Sequence, residues 1–384
     1  MMKVKQISTI LNSVFQEITG TSAVIQEDLS NIVEVGRVIT SSTQWGDNFD
    51  KYVGAIIDKV GKTIFVDRVY TSAAPNIMKS SWEYASILEK VRCDVDDYTD
   101  NKEWSLTPET TFDVFKFNPV EVSAKYFNQK TTFQTMFSIT KKQMKSAFDS
   151  AAAMNSFISM IENRIQMKMT LASDALIMRT IVNLIAEKIA SNNNVVNLLA
   201  LYNTATGSTL KANKALTDKE FLRFASKTIM QYKKLIATAS ALYNNDGYVT
   251  FTPAERLKAV FATDFDLALK TSLYADTYNK EFVELDGYAT VPYWQGSGTA
   301  NADHLKISAK TASNGTVVEK DGIVAVLFDE YAAMVCNEEP DVRSIYNPEG
   351  NFYNYWHSFD ASYYNDLGEN VIVFTIEDTG TVWY

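Results

Sequence analysis

The run Thr140-Lys141-Lys142-Gln143-Met144-Lys145-Ser146-Ala147-Phe148-Asp149 opens a stretch, residues 140–206, with neither glycine nor proline. Without those two breakers a helix can propagate over many turns. Thr140 stands three before Gln143, the spacing of a capping box, and Ile139 and Met144 flank it as a hydrophobic staple. Met144, Ala147, Phe148, Ala151, Met154, Ile158, Ile161 and Ile165 then recur at steps of three or four. The pattern predicts a helix from Lys141 to about Met169, roughly 45 Å long at ~1.5 Å per residue. Leu171-Ala172-Ser173-Asp174 offers a new N-cap, so a second amphipathic helix is expected over Ala175–Ala190, closed by Ser191-Asn192-Asn193-Asn194. Lys141, Lys142, Lys145, Arg164, Lys168, Arg179 and Lys188 outnumber Asp149, Glu162, Asp174 and Glu187 here. A solvated face explains that excess without any partner.

Upstream, residues 1–60 read as an arm with short helices. Ile7, Ile10, Leu11, Val14, Phe15 and Ile18 fall at helical spacing, as do Phe49, Tyr52, Val53, Ile56, Ile57 and Val60. From Lys62 to Ile139 the pattern turns to β. Thr63–Tyr70 is rich in branched and aromatic residues, a short helix fits Ser80–Leu88, and Phe112–Phe117 nearly alternates. Glu121–Phe127 and Thr131–Ile139 follow as further strand-like runs. A long hairpin or ribbon is the simplest reading. Alone it has too little apolar face to be stable, so it calls for a partner surface.

Downstream, Asp218–Leu242 is helical, Tyr248–Phe251 reads as a strand, and Thr252-Pro253-Ala254-Glu255 carries the signs of a helix start. Gly322–Phe328 and Val371–Ile376 are buried-type strands. Tyr346, Phe352, Tyr353, Tyr355, Trp356, Phe359, Tyr363 and Tyr364 crowd one segment, which suits either a core or an interface.

The chain has 384 residues, 46% of them apolar, enough for a large core. Its formal net charge of −10 argues against holding nucleic acid by general attraction. Cys93 and Cys336 are too far apart for a CxxC site and read as reduced thiols. No run reaches the ~20 uninterrupted apolar residues of a membrane span, and no signal-peptide pattern opens the chain. Catalytic, cofactor-binding and metal-ligating residues are therefore expected to be none. Walker A and GxGxxG patterns are absent, and Gly296-Ser297-Gly298 lacks the nucleophile-elbow spacing. The acidic cluster Asp94–Asp100 lacks the glycine and terminal glutamate of a calcium loop. His304 and His357 read as surface and packing residues.

An arm, a ribbon, a long capped helix, an α/β region and a closing β region follow one another in that order. Phe115–Val122 through Thr132-Phe133, Ser138–Asp149 with Met154–Ile158, and Gly322–Asp329 with Asn347–Asn354 resemble three stretches of the major capsid proteins of tailed bacteriophages, the HK97-like fold. The resemblance implies an α+β fold with an N-terminal arm (1–61), an extended loop (62–139), a spine helix with the first part of a peripheral domain (140–194), an axial domain (195–325) and a return into the peripheral domain (326–384). It implies a subunit that self-assembles into hexamers and pentamers around double-stranded DNA, touching that DNA weakly and without sequence preference. A portal and a separate scaffolding protein are the other expected partners, and a decoration protein is allowed. The expected location is the virion, after assembly in the host cytoplasm. Phe115, Phe117, Tyr126, Phe127 and Phe133 are the candidate intersubunit contacts. Lys116, Lys125 and Lys130 lie in the loop where some members cross-link, but no acceptor motif accompanies them.

Three alternatives compete. A cellular nanocompartment shell would need a cargo site. A soluble α/β enzyme sits badly with two histidines and few glycines. A tail or decoration protein would be β-rich throughout, unlike residues 140–240.

Overall fold

A computed structural model describes residues 122–140, 150–274, 288–295, 304–311 and 315–378 without interruption, with short pieces inside 8–33 and at 77–79, 88–93, 106–109, 115 and 142–143. The expected helices of the arm, the strand 63–70, the helix 80–88 (all but Leu88, which begins a strand) and the acidic cluster 94–100 lie wholly or largely outside the described residues. So do Phe117 and the Gly296-Ser297-Gly298 turn. Where the arm is described, Leu11, Ile25, Leu29 and Ile32 are buried.

In chain order the early strands are β1 (Met78–Lys79), β2 (Leu88–Cys93), β3 (Val122–Phe127) and β4 (Lys130–Thr140). The long helix α1 (Ala151–Ser191) follows, then β5 (Val195–Asn197), α2 (Leu198–Thr206), α3 (Ala212–Ala215) and α4 (Lys219–Ile236). After these come β6 (Leu257–Ala262), α5 (Thr263–Tyr274), β7 (Tyr288–Val291), β8 (Ile307–Lys310) and β9 (Val317–Lys320). The closing strands are β10 (Ile323–Asp329), β11 (Ala333–Asn347), β12 (Phe352–Asn365) and β13 (Val371–Thr375). The fold is thus a mixture of helix and sheet, as expected.

Two larger sheets organise these elements. One has the order β1-β11-β12-β4, and the other β5-β13-β10-β6-β7. All seven residues of β10 and all five of β13 are buried, which is why both read as continuous apolar runs. The expected boundary at 325 falls inside β10, and β13 closes the same sheet. The run Thr131–Ile139 is not part of a ribbon with β3. It forms β4, antiparallel to β12 over its full length, because alternation buries Phe137 and Ile139 beneath that sheet. The ribbon is instead β2 with β3, paired from Leu88↔Phe127 to Cys93↔Val122.

The long helix corrects the sequence reading twice. The capping box forms: the Gln143 N–H donates to Thr140 Oγ1 at 3.2 Å, and the Thr140 N–H to Gln143 Oε1 at 3.0 Å. Lys142 and Gln143 after it are helical, 144–149 lie outside the described residues, and α1 opens afresh after Ser150. Ser150 is extended, and its hydroxyl accepts the Ala153 N–H at 3.1 Å. The expected break at Leu171–Asp174 does not occur. Ser173 is buried inside the helix, and Ile165, Met169, Leu176 and Ile177 continue one buried face through it. That packing outweighs the capping tendency of Ser173 and Asp174. Asn192 ends α1 in the left-handed conformation that asparagine tolerates, with its N–H on Ile189 O at 3.1 Å.

The expected helix start at Thr252–Glu255 is a turn that feeds β6. The Arg256 and Leu257 N–H groups donate back to Pro253 O, and β6 then pairs with β10 and β7. Tyr248–Phe251 contributes one bridge, Ser240↔Thr250, in place of a strand. Asp218 caps α4 by accepting the Phe221 N–H at 2.8 Å. Met167–Ser191 of α1 is apolar and long enough to cross a bilayer, yet more than half of it is buried against the rest of the protein.

Candidate assembly interface

The two faces of the ribbon differ in chemistry. Alternation along β2 puts Lys90 and Arg92 on one side and Glu89 and Val91 on the other. On β3 it puts Ser123, Lys125 and Phe127 on the first side and Val122, Ala124 and Tyr126 on the second. Register places Lys90 directly opposite Lys125. Like charges so placed repel unless an anion lies between them.

That anion is Asp366, in the turn between β12 and β13, with no exposed side-chain surface. Lys90 Nζ lies 2.6 Å from Asp366 Oδ2, Lys125 Nζ 3.2 Å from Oδ1, and Arg92 Nη2 3.3 Å from Oδ2. Glu369 adds a second anion, 2.6 Å from Lys90 Nζ and also paired with Arg92. Asp246 pairs with Lys125 from the opposite side. Arg92 Nη1 further donates to Gly368 O at 2.6 Å. Burial pushes the Asp366 carboxyl up, but Lys90, the Gly368 N–H and Lys125 together hold it below the usual carboxylate range. Burial likewise pushes the Lys125 ammonium down, and its bonds to Asp246 and Asp366 reverse the sign. A side chain at Gly368 would run into Asp246, Arg92 and Lys125 at once. Phe127 completes the inner face by stacking on Tyr364 with centroids 4.7 Å apart. The inner face thus clamps the ribbon's root to the body.

The outer face is open. Val91 is 59% exposed, Val122 62% and Tyr126 64%. The four-stranded sheet also carries apolar side chains outward. Met136 on β4 and Ile345 on β11 are more than half exposed, and Trp356 is paired across from both Met136 and Arg343.

The expected contact residues fall into three groups. Phe115 is 93% exposed, and Tyr126 is exposed while its phenol donates to Glu89 Oε1 at 3.0 Å. Phe127 and Phe133 are half-buried within the chain, Phe133 lying 5.1 Å from the Phe359 ring. Phe117 lies outside the described residues. Sequence reasoning missed Lys90, Arg92, Asp366, Glu369 and Asp246. The available signal was the alternation Glu89-Lys90-Val91-Arg92, two bases on one side of a strand.

The histidines are placed apart from any such cluster. His304 Nδ1 lies 3.0 Å from Asp264 Oδ2, and His357 is buried flat against Phe137 at 5.3 Å. Among the described residues no group of three or more His, Cys, Asp or Glu side chains is placed to hold a metal ion.

Comparison with known proteins gives these surfaces a context. Residues 7–375 match the model of the family described as Phi29-like phage major capsid protein. No curated protein matches the chain. Among solved structures, the fold is similar to a chain of the Staphylococcus phage Andhra capsid, at 12% identity and a TM-score of 0.55, covering 81% of this chain and 87% of that one. It is also similar to a chain in the structure of head fiber and inner core protein gp22 of bacteriophage P68, at 14% identity and a TM-score of 0.53, covering 80% and 87%.

Proposed function

We propose that this chain, which belongs to the Phi29-like phage major capsid protein family and so is a subunit of an icosahedral virion shell, meets its neighbours through the outer face of the β2/β3 ribbon. It is a structural protein and not an enzyme. The division of the two ribbon faces supports the reading. One is held to the chain's own body by charge, and the other presents Val91, Val122 and Tyr126 to solvent. An exposed apolar face on a two-stranded ribbon suits a surface completed by a second molecule. Phe115, also exposed, is a further candidate contact in the same reading.

The HK97-like description assigns α1 as the spine. The four-stranded sheet with the outer part of α1 becomes the peripheral domain, and the five-stranded sheet with α2 to α5 the axial domain. β10 and β13, which share that sheet, go with the axial part. The remaining partners belong to the same proposal: a portal, a separate scaffolding protein, a decoration protein, and packaged double-stranded DNA held by weak contact. Assembly would take place in the host cytoplasm. No sequence or structural feature favours a nanocompartment over this reading.

The test is the double variant Val91→Glu/Tyr126→Lys, in which position 126 faces Glu89 across the ribbon with opposite charge, read by particle formation in electron microscopy and by thermal melting. Both positions are exposed, so melting should match the wild type while shells fail to form. A variant that assembles as readily as the wild type would show that the ribbon's outer face is not a subunit contact.

A further inference from the structure

Helix α1 is apolar on more than the face it buries. Met160, Met167 and Leu171 are each more than half exposed. Steps of three and four carry that line on through Ala175 to Met178 and Val182. There it becomes the floor of a groove of about 760 Å³, whose far wall is Val291–Gln295 and Ser308–Lys310. Leu171 belongs to both parts, so stripe and groove are one surface. It spans ~33 Å from Met160 to Val182 at ~1.5 Å per residue. Arg164 lies on the line itself, between Met160 and Met167, and Lys168, Arg179 and Lys310 are exposed along its border, against Asp174. A basic border stands out in a chain of net charge −10.

We infer that this stripe and groove receive an acidic amphipathic helix of a partner protein. The inference rests on the reading above that a separate scaffolding protein takes part in assembly. Three features select that occupant. The stripe is long, straight and spaced as a helix-in-groove site is. Its exposed side chains are two methionines and a leucine, and methionine adapts to varied apolar partners. Nucleic acid would satisfy the bases but leave that apolar floor against phosphate, whereas Glu and Asp flanking an apolar face satisfy both.

The probe is a synthetic peptide of about 18 residues (~27 Å of helix) with Leu at helical three- and four-residue spacing and Glu elsewhere. The same design with Lys for Glu and a DNA duplex of about 20 base pairs are the controls. Each is titrated against the unassembled full chain by fluorescence anisotropy. The acidic peptide should bind at least about tenfold more tightly than the basic one, with affinity falling as salt rises. Leu171→Glu and Met167→Glu should each weaken it about tenfold or more at unchanged melting temperature. Binding of the duplex in place of the peptide, self-association abolished by Leu171→Glu, or no peptide binding would each overturn the assignment. Shell formation by the wild type, co-expressed with the neighbouring gene products, is scored in parallel. Particles without peptide binding refute this site alone, and absence of particles refutes the reading beneath it.

Discussion

Asp366 links the ribbon to the body through three cations, and its removal is the most direct probe of that clamp. Breaking a buried pair leaves uncompensated charge and costs several kcal/mol. Asp366→Asn should therefore lower the unfolding free energy by about 3 kcal/mol in urea melts, because Glu369 and Asp246 retain part of the compensation. The acid limb has a defined sign. The carboxyl is held below its ordinary value in the folded chain, so the unfolded chain binds more protons there. Its stabilisation is complete above pH ~4 and is lost as pH falls through the lower folded value. Lys188 gives a rise with pH in a second, alkaline window, because its charged form is disfavoured in the folded chain. It is fully buried at the end of α1, with Nζ 2.7 Å from Asn245 Oδ1 and 3.4 Å from Tyr243 O. Burial pushes it down to about 7, against a weaker pull from Asp246. The unfolded lysine holds its proton up to its ordinary value, so stability should rise with pH from about 7 to ~10.5. In Lys188→Met both acceptors keep another donor, Asn193 Nδ2 and the Val371 N–H. That variant should be as stable as the wild type at pH 7 or more so, and its urea midpoint should lack the alkaline rise.

The elements show which sequence signals were strong enough to read. β10 and β13 announced themselves because burial on both faces demands unbroken apolar runs. The helix read over Asp218–Leu242 was legible from its apolar spacing, while its cap at Asp218 and its end at Ile236 went unread. The start of α1 was misplaced because two valid caps lie ten residues apart and both form, the later one opening α1. Ser150→Ala should accordingly cost about 1 kcal/mol in thermal melts, because its hydroxyl caps the first turn of α1. The missing break at Ser173 comes from a buried face that local propensity cannot see. The clamp was illegible for a further reason. Lys90 and Asp366 are 276 residues apart, and no local pattern pairs them. Gly322 is a glycine whose need is geometric. It has φ +75°, and a side chain there would overlap the Ile376 carbonyl, at the point where the Ile376 N–H donates to Gly322 O at 2.8 Å. Gly322→Ala should destabilise the five-stranded sheet by more than 1 kcal/mol, as a shift in urea midpoint.

For the molecule as a whole, two sheets joined by one long helix provide a rigid body, and that body holds the ribbon by its charged face. What projects is apolar, which a subunit needs if its surface is completed by copies of itself. A chain of net charge −10 repels its copies at long range, so contact must come from such short-range apolar faces. Assembly should therefore strengthen as salt screens the repulsion, which light scattering across a salt series would read. The most direct measurement compares wild type and Val91→Glu/Tyr126→Lys side by side, by sedimentation and electron microscopy, each with the neighbouring gene products co-expressed. Closed shells from the wild type, and folded, unassembled subunits from the variant, are the predicted result. Equal shells from both, or a wild type that stays monomeric in every condition, would contradict it.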